Sequence, residues 1–279
     1  AYQKVSYYSG VQLFNQKNYN EADKMFNQSL ENPIDADLQA ACYFWIGEIR
    51  FTENKYALAI NNHVKFQDLS KVAKDLPEET TIPYSNYTIG YSYFKQKSYS
   101  NASNYFSKVT TSLKTSKTDI TQNNVYIDAV LRLGDCYFMT KDYKKAEQNY
   151  SKIIDNNSKG VDYALYQKGM LQGLQNNNNG KISTLQQIKT KYPNSLYMDD
   201  ALYEIANTYF IMKQNSSAIT GFKELVASKP NSSYAVKAYL KLGLIYFNEK
   251  DYANSEKYYK MAYEMSPNSA EGNEAKDGL

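Results

Sequence analysis

The stretch GDCYFMTKDYKKAEQNY, Gly134 to Tyr150, sets an acid, a thiol and several lysines close together. Taken alone it suggests a reactive site, with Asp135 and Lys141 tuning Cys136. Set in register with the rest of the chain, it is one copy of a packing rule. Gly134 is followed by Tyr137 three places on, Ala146 twelve on and Tyr150 sixteen on. GYSYFKQKSYSNASNYF, Gly90 to Phe106, repeats the rule with Gly90, Tyr93, Ala102 and Phe106.

The small residue recurs as Gly10, Gly47, Gly90, Gly134, Gly169, Ala206 and Gly243, at intervals of 37, 43, 44, 35, 37 and 37 residues. The tyrosine place holds Tyr93, Tyr137, Tyr209 and Tyr246. Twelve past the small residue stand Ala22, Ala59, Ala102, Ala146, Ala218 and Ser255. The large place holds Phe26, Phe106, Tyr150, Phe222 and Tyr259, with His63 in its stead in the second copy. Three copies then carry a proline, at Pro193, Pro230 and Pro267, and five carry a turn tyrosine, at Tyr19, Tyr56, Tyr99, Tyr143 and Tyr252.

This pattern resembles the tetratricopeptide repeat, whose small, aromatic and proline residues stand at these offsets. The resemblance implies an all-α fold, a right-handed α-α superhelix of about seven helix-turn-helix repeats. The repeats fall at 3–36, 40–73, 83–116, 127–160, 162–195, 199–232 and 236–269 of one solenoid spanning 1–279. The physics agrees with the residue types. A Gly/Ala pair lets two antiparallel helices approach, the large residue fills the gap to the next unit, and proline closes the second helix. A lone helix pair cannot bury its apolar face, so neighbours must stack, with the first helices lining a concave side.

Three departures carry expectations of their own. DLPEETTIP, Asp75 to Pro83, reads as an exposed loop, and LKTSKTDITQNN, Leu113 to Asn124, as a second long connection. In the fifth unit NNNNG, Asn176 to Gly180, is a poor helix former, and Lys181 takes the place of the packing alanine. That turn is expected to be loose: a long turn in the first instance, a hinge between units 1–4 and 6–7 in the second. YPNSLYMDDALYEIANTYF and KPNSSYAVKAYLKLGLIYF share a Pro-Asn-Ser turn and a 37-residue spacing. In this they are similar to tetratricopeptide proteins of the Gram-negative envelope, such as the outer-membrane assembly lipoprotein BamD and the periplasmic protein YbgF. That resemblance implies a periplasmic or outer-membrane-associated setting. The chain starts inside an amphipathic helix without an initiator Met, and SPNSAEGNEAKDGL at its other end opens a further first helix. The start reads as that of a mature or excised fragment, and the other end as the cut end of a longer array, with a capping helix as its alternative.

Composition narrows the functions. The 32 basic and 29 acidic residues are interspersed, with no Lys/Arg-rich run to contact nucleic acid, and no apolar run is long enough to span a membrane. Cys136 aligns with Gln12, Ile49, Ser92, Leu171, Thr208 and Ile245, so no chemistry repeats there. Cys42 aligns with small packing residues, and neither cysteine has the electropositive setting of a reactive thiol. The only histidine, His63, has no Cys partner. Asp199–Asp200 opens a helix and Glu78–Glu79 sits in a loop. The chain is expected to be no enzyme, with no metal and no cofactor.

Function is expected on the first helices. Counting from the small residue, three before it come Tyr7, Phe44, Tyr87, Leu131, Tyr166, Tyr203 and Leu240. Two before it come Tyr8, Trp45, Thr88, Arg132, Gln167, Glu204 and Lys241. One after it come Val11, Glu48, Tyr91, Asp135, Met170, Asn207 and Leu244. The row at four after, Phe14, Phe51, Phe94, Phe138, Gly173, Phe210 and Phe247, is nearly uniform and reads as helix packing. The tyrosine-rich rows, with the sole Trp, offer interaction anchors. The candidate partner-binding residues are Tyr7, Phe44, Trp45, Glu48, Tyr87, Tyr91, Asp128, Arg132, Asp135, Tyr166, Tyr203 and Asn207, and about half of them are expected simply to pad neighbouring helices. The lysine that clamps a C-terminal carboxylate in chaperone-binding repeats is replaced here by Tyr, Phe or Leu, so no such clamp is expected. Glu48, Asp128, Asp135 and Asp200 instead suit an extended segment with apolar and basic side chains. A protein or peptide partner in this groove is the first reading. The others are a structural, self-assembling array and a tyrosine-based glycan binder.

Overall fold

The structure, a computed structural model, describes residues 2–113 and 124–279. Most of the connection expected at Leu113–Asn124 lies outside the described residues. Fifteen helices occur among the described residues, in two compact units divided between Lys159 and Gly160. The first unit holds α1 (Tyr2–Asn15), α2 (Tyr19–Glu31), α3 (Ala36–Thr52), α4 (Tyr56–Ser70), α5 (Ile82–Lys95), α6 (Tyr99–Ser112), α7 (Asn124–Met139) and α8 (Tyr143–Asp155). The second holds α9 (Val161–Leu174), α10 (Asn178–Lys191), α11 (Met198–Ile211), α12 (Asn215–Ser228), α13 (Ala235–Asn248), α14 (Tyr252–Met265) and the short α15 (Ala270–Asp277).

Consecutive helices pair as hairpins, and the second helix of a hairpin packs on the first helix of the next. In the first unit α2 meets α3, α4 meets α5 and α6 meets α7; in the second α10 meets α11, α12 meets α13 and α14 meets α15. The first helices of the first unit also touch one another, α1 with α3, α3 with α5 and α5 with α7. They therefore form the tighter, inner row of that unit.

The glycine rule is steric. A Cβ added at Gly10 would lie 2.7 Å from the Phe26 ring, one at Gly134 2.7 Å from Tyr150, and one at Gly90 3.0 Å from Phe106. The same space at Gly47 is taken by His63 and at Gly169 by Leu185, both fully buried. The sixth hairpin inverts the arrangement. Ala206 stands on the first helix, and Gly221 of the second makes the room, since a Cβ there would be 2.8 Å from Ala206 Cβ. Burying a large apolar side chain at such a place stabilises by about 1.5–3 kcal/mol.

All seven hairpin turns share one conformation. The residue seven past the small one is left-handed: Lys17, Asn54, Lys97, Lys141, Asn176, Lys213 and Lys250, with φ between 58° and 65°. Its N–H donates to the carbonyl three residues back, and the next N–H donates to the carbonyl five back, as in Lys97 to Phe94 and Ser98 to Tyr93. This is the Schellman closure of a helix. NNNNG follows it: Asn176 is the left-handed residue, Asn177 caps α10 by accepting from Gly180 N, and α10 starts at Asn178. The expectation of a loose turn is corrected here, because asparagine is among the residues that tolerate this backbone best. The uniform phenylalanine row clasps the turn tyrosines: Phe14–Tyr19, Phe51–Tyr56, Phe94–Tyr99, Phe138–Tyr143 and Phe247–Tyr252 lie 5.3–6.1 Å apart between ring centroids.

The stretch Asp75 to Pro83 connects α4 to α5 but is not uniformly exposed. Thr80 is buried, Leu76 packs on the core, and Pro83 belongs to the first turn of α5. The backbone N–H of Lys74 donates to Asp37 Oδ1 at 2.7 Å, tying the connection to the start of α3.

Candidate functional site

The first-helix rows divide by depth. Of the candidate residues, Tyr7, Phe44, Trp45 and Asp135 are buried. Trp45 Nε1 donates to the Tyr7 hydroxyl at 3.1 Å, and its indole stacks on Phe26 at 6.3 Å and 3°. Phe44 meets His63 and Phe66 edge-on, each at 5.3 Å. These rings fill the seams of the first two hairpins and present little surface to a partner. Glu48, Tyr87, Tyr91, Asp128, Arg132, Tyr166, Tyr203 and Asn207 are half-buried, and they carry whatever face the first helices offer.

In the first unit these residues form two polar networks. Thr88 Oγ1 donates to Glu48 Oε1 at 2.6 Å, and His63 Nε2 lies 3.0 Å from the same oxygen. The histidine that stands in for a packing ring thus lies against an acid one residue past Gly47. The second network joins α5, α7 and α8. Tyr87 donates to Asp128 Oδ2 at 2.8 Å, and Tyr91 donates to that oxygen too. Arg132 Nε lies 3.6 Å from Asp128 Oδ1, and Arg132 Nη1 lies 2.5 Å from Asp135 Oδ2. Tyr150 closes the chain by donating to Asp135 Oδ1 at 2.8 Å. Burial, and then the charge of Asp128, push the Tyr87 and Tyr91 phenols well above the ordinary tyrosine range. They stay neutral donors at physiological pH.

The second unit repeats the theme with different partners. Tyr166 stacks on Tyr197 at 5.5 Å, and burial, followed by Asp200 and Glu204, raises its phenol to about 12. Tyr203 stacks on Tyr234 at 4.9 Å, and the Tyr234 hydroxyl donates to Asp200 Oδ1 at 2.7 Å. Lys181, in the alanine place, is buried with its stem against Gly173 and its Nζ 2.5 Å from Glu204 Oε2. Glu48, Asp128, Asp135 and Asp200 are therefore all engaged within the fold.

A pocket of about 200 Å³ opens between α11, α13 and α15, lined by Tyr203, Lys237, Leu240, Lys241, Leu244, Glu271 and Glu274. Register brings Tyr203, Leu240, Lys241 and Leu244 to the inner face. Lys237, Glu271 and Glu274 belong to no expected row. The signal that could have found the two glutamates is α15 itself, which opens as a further first helix and packs on α14 and α13.

The two thiols are buried and unpaired with each other. Burial raises Cys42 to about 11 and, with the Asp135 charge second, Cys136 to about 12, the reverse of what a nucleophile needs. Among the described residues no three His, Cys, Asp or Glu side chains are placed to hold a metal, and no helix is long and apolar enough to cross a membrane.

Comparison with known proteins agrees with this architecture. Residues 83–112 and 236–269 match one family model described as tetratricopeptide repeat, and residues 128–159 and 163–195 match a second with the same description. No curated protein matches the sequence. Among solved structures, the C-terminal part of a TPR repeat-containing protein from Cytophaga hutchinsonii is similar over 98% of this chain and 99% of that one, with 15% identity and a TM-score of 0.75. A tetratricopeptide repeat protein from Parabacteroides merdae covers 99% of this chain with 98% of its own, at 16% identity and a TM-score of 0.59. YrrB, described as a TPR protein with an unusual peptide-binding site, covers 76% of this chain with 96% of its own, at 17% identity and a TM-score of 0.55.

Proposed function

We propose that this chain, built of tetratricopeptide repeats, is a protein-interaction scaffold that holds a peptide segment or partner protein against its first helices. One observation carries the reading. The half-buried rings Tyr87, Tyr91, Tyr166 and Tyr203 are fixed by stacking or by hydrogen bonds to Asp128, yet keep part of their surface open. Rigid aromatics lose little conformational entropy on binding, which suits them as anchors. The similarity to YrrB, with its described peptide-binding site, is in keeping with this. Placement in a bacterial envelope assembly is the finer part of the proposal. It draws on the shared Pro-Asn-Ser turns, and fractionation of the source cells tests it.

The scaffold reading is tested by selecting peptides from a random displayed library on the immobilised protein. Enriched peptides should lose at least tenfold in affinity to the inner-face variants Tyr91→Ala or Asn207→Arg, with helical circular dichroism retained. Lys144→Ala, on the exposed face of α8, should leave them unchanged. Equal binding to all three variants would count against the inner face.

A second reading, a self-associating array, draws on α1. Val5 is 65% exposed and Tyr8 52% exposed, whereas Cys42, Ser85, Ala129, Ala164, Ala201 and Ala238, in the column of Val5, are fully buried. A further helix or a second copy would cover that face. Light scattering distinguishes them: concentration-dependent growth that Val5→Glu abolishes supports the array, and a monomer at all concentrations removes it.

A further inference from the structure

The pocket between α11, α13 and α15 differs from the surroundings of the other first-helix acids in one respect. Glu48, Asp128, Asp135, Asp200 and Glu204 are each engaged by a neighbouring side chain. In the pocket, two lysines face two glutamates, and among the described residues neither lysine lies within 4.0 Å of either acid. Lys237 and Lys241 stand one turn apart on α13 and so share a wall. Their ammonium groups lie instead over rings, Lys237 5.7 Å from the Tyr234 centroid and Lys241 5.0 Å from that of Phe210. Glu271 and Glu274, three residues apart on α15, share the opposite wall. Between them the lining is apolar, with Leu240 buried and Leu244 half-buried.

From this arrangement we infer that the pocket receives a short peptide segment carrying one bulky apolar side chain between an acidic and a basic group. The inference rests on the scaffold reading and specifies its ligand. Size selects the first feature: about 200 Å³ is below the roughly 300–1,000 Å³ of pockets that enclose a whole drug-sized ligand, so it admits a side chain with its adjoining backbone. Charge selects the other two. A purely anionic segment gains at the lysine wall and is repelled at the glutamate wall, and a purely cationic one suffers the reverse. Only a segment with both signs gains at both. The polarity is also fixed, with the acid toward α13 and the base toward α15. Partly exposed charges contribute modestly to affinity, so their work here is orientation and choice of partner, while the apolar side chain supplies the hold.

The test uses the full chain and a random displayed peptide library. Wild type is expected to enrich peptides with an acid, a large apolar residue and a base. Synthetic copies should bind the double variant Lys237→Glu/Lys241→Glu at least tenfold more weakly, with helical circular dichroism unchanged. Reselection on that variant should replace the acid of the motif by a base. A scrambled peptide of the same composition should bind wild type weakly. The inference is overturned if enriched peptides show no paired charges, or if the double variant binds them as wild type does. Peptides that ignore the double variant yet are lost on Tyr91→Ala defeat the pocket while leaving the scaffold standing. No enrichment over a blank surface defeats both.

Discussion

At Gly134 the Tyr150 ring occupies the space a side chain would need, with its nearest atom 2.7 Å from an added Cβ. Gly134→Ala is therefore expected to destabilise by about 1–3 kcal/mol, the usual cost of overpacking, read from urea unfolding; no loss would mean the two helices part without strain. The left-handed lysines work in the opposite direction. At Lys213, φ is 58°, a conformation that glycine adopts without penalty. Lys213→Gly should raise stability by up to about 1 kcal/mol, and an equal loss would show that the side chain makes a contact worth more than the strain. The packing residues were legible because their types recur in register. The left-handed position was not, because lysine, its commonest occupant, is not a residue that advertises a positive φ.

Elements explain where depth escaped the register. Counting from the small residue assigns a residue to a row of its helix but does not say how closely the neighbouring helix covers it. Trp45 and Tyr87 stand in adjacent inner rows, yet Trp45 is buried under Phe26 and Phe14 while Tyr87 stays half open. In the fifth hairpin, Lys181 breaks the alanine column and α10 still forms, since the lysine stem lies along Gly173 and its charge meets Glu204. Restoring the common residue by Lys181→Ala should thus destabilise, by about 1–3 kcal/mol, because Glu204 is left largely buried without its partner. Adding Glu204→Gln should recover part of the loss. Thermal or urea unfolding of the three proteins checks this, and a single variant as stable as wild type would remove the pair from the account.

Over the whole molecule, seven hairpins were legible in the sequence, and the division between Lys159 and Gly160 was not. No composition shift marks it. The half-buried phenols give the fold a shared pH response. Tyr87, Tyr91, Tyr166 and Tyr234 have raised values, burial being the largest cause in each. The unfolded chain releases these protons near pH 10 while the folded chain keeps them, so stability is intact below that pH and falls as pH rises past it. Urea midpoints should be level from pH 7 to 8 and drop between pH 10 and 11, less steeply in Tyr91→Phe. A midpoint constant to pH 11 would contradict the burial of those rings.

The binding claim itself is tested most directly by hydrogen–deuterium exchange of the protein with and without a peptide selected on it. Protection is expected on the first helices, above all α11 and α13 and the adjoining α15, with α12 and α14 unchanged. Protection confined to the second helices would place recognition on the opposite face and contradict the account.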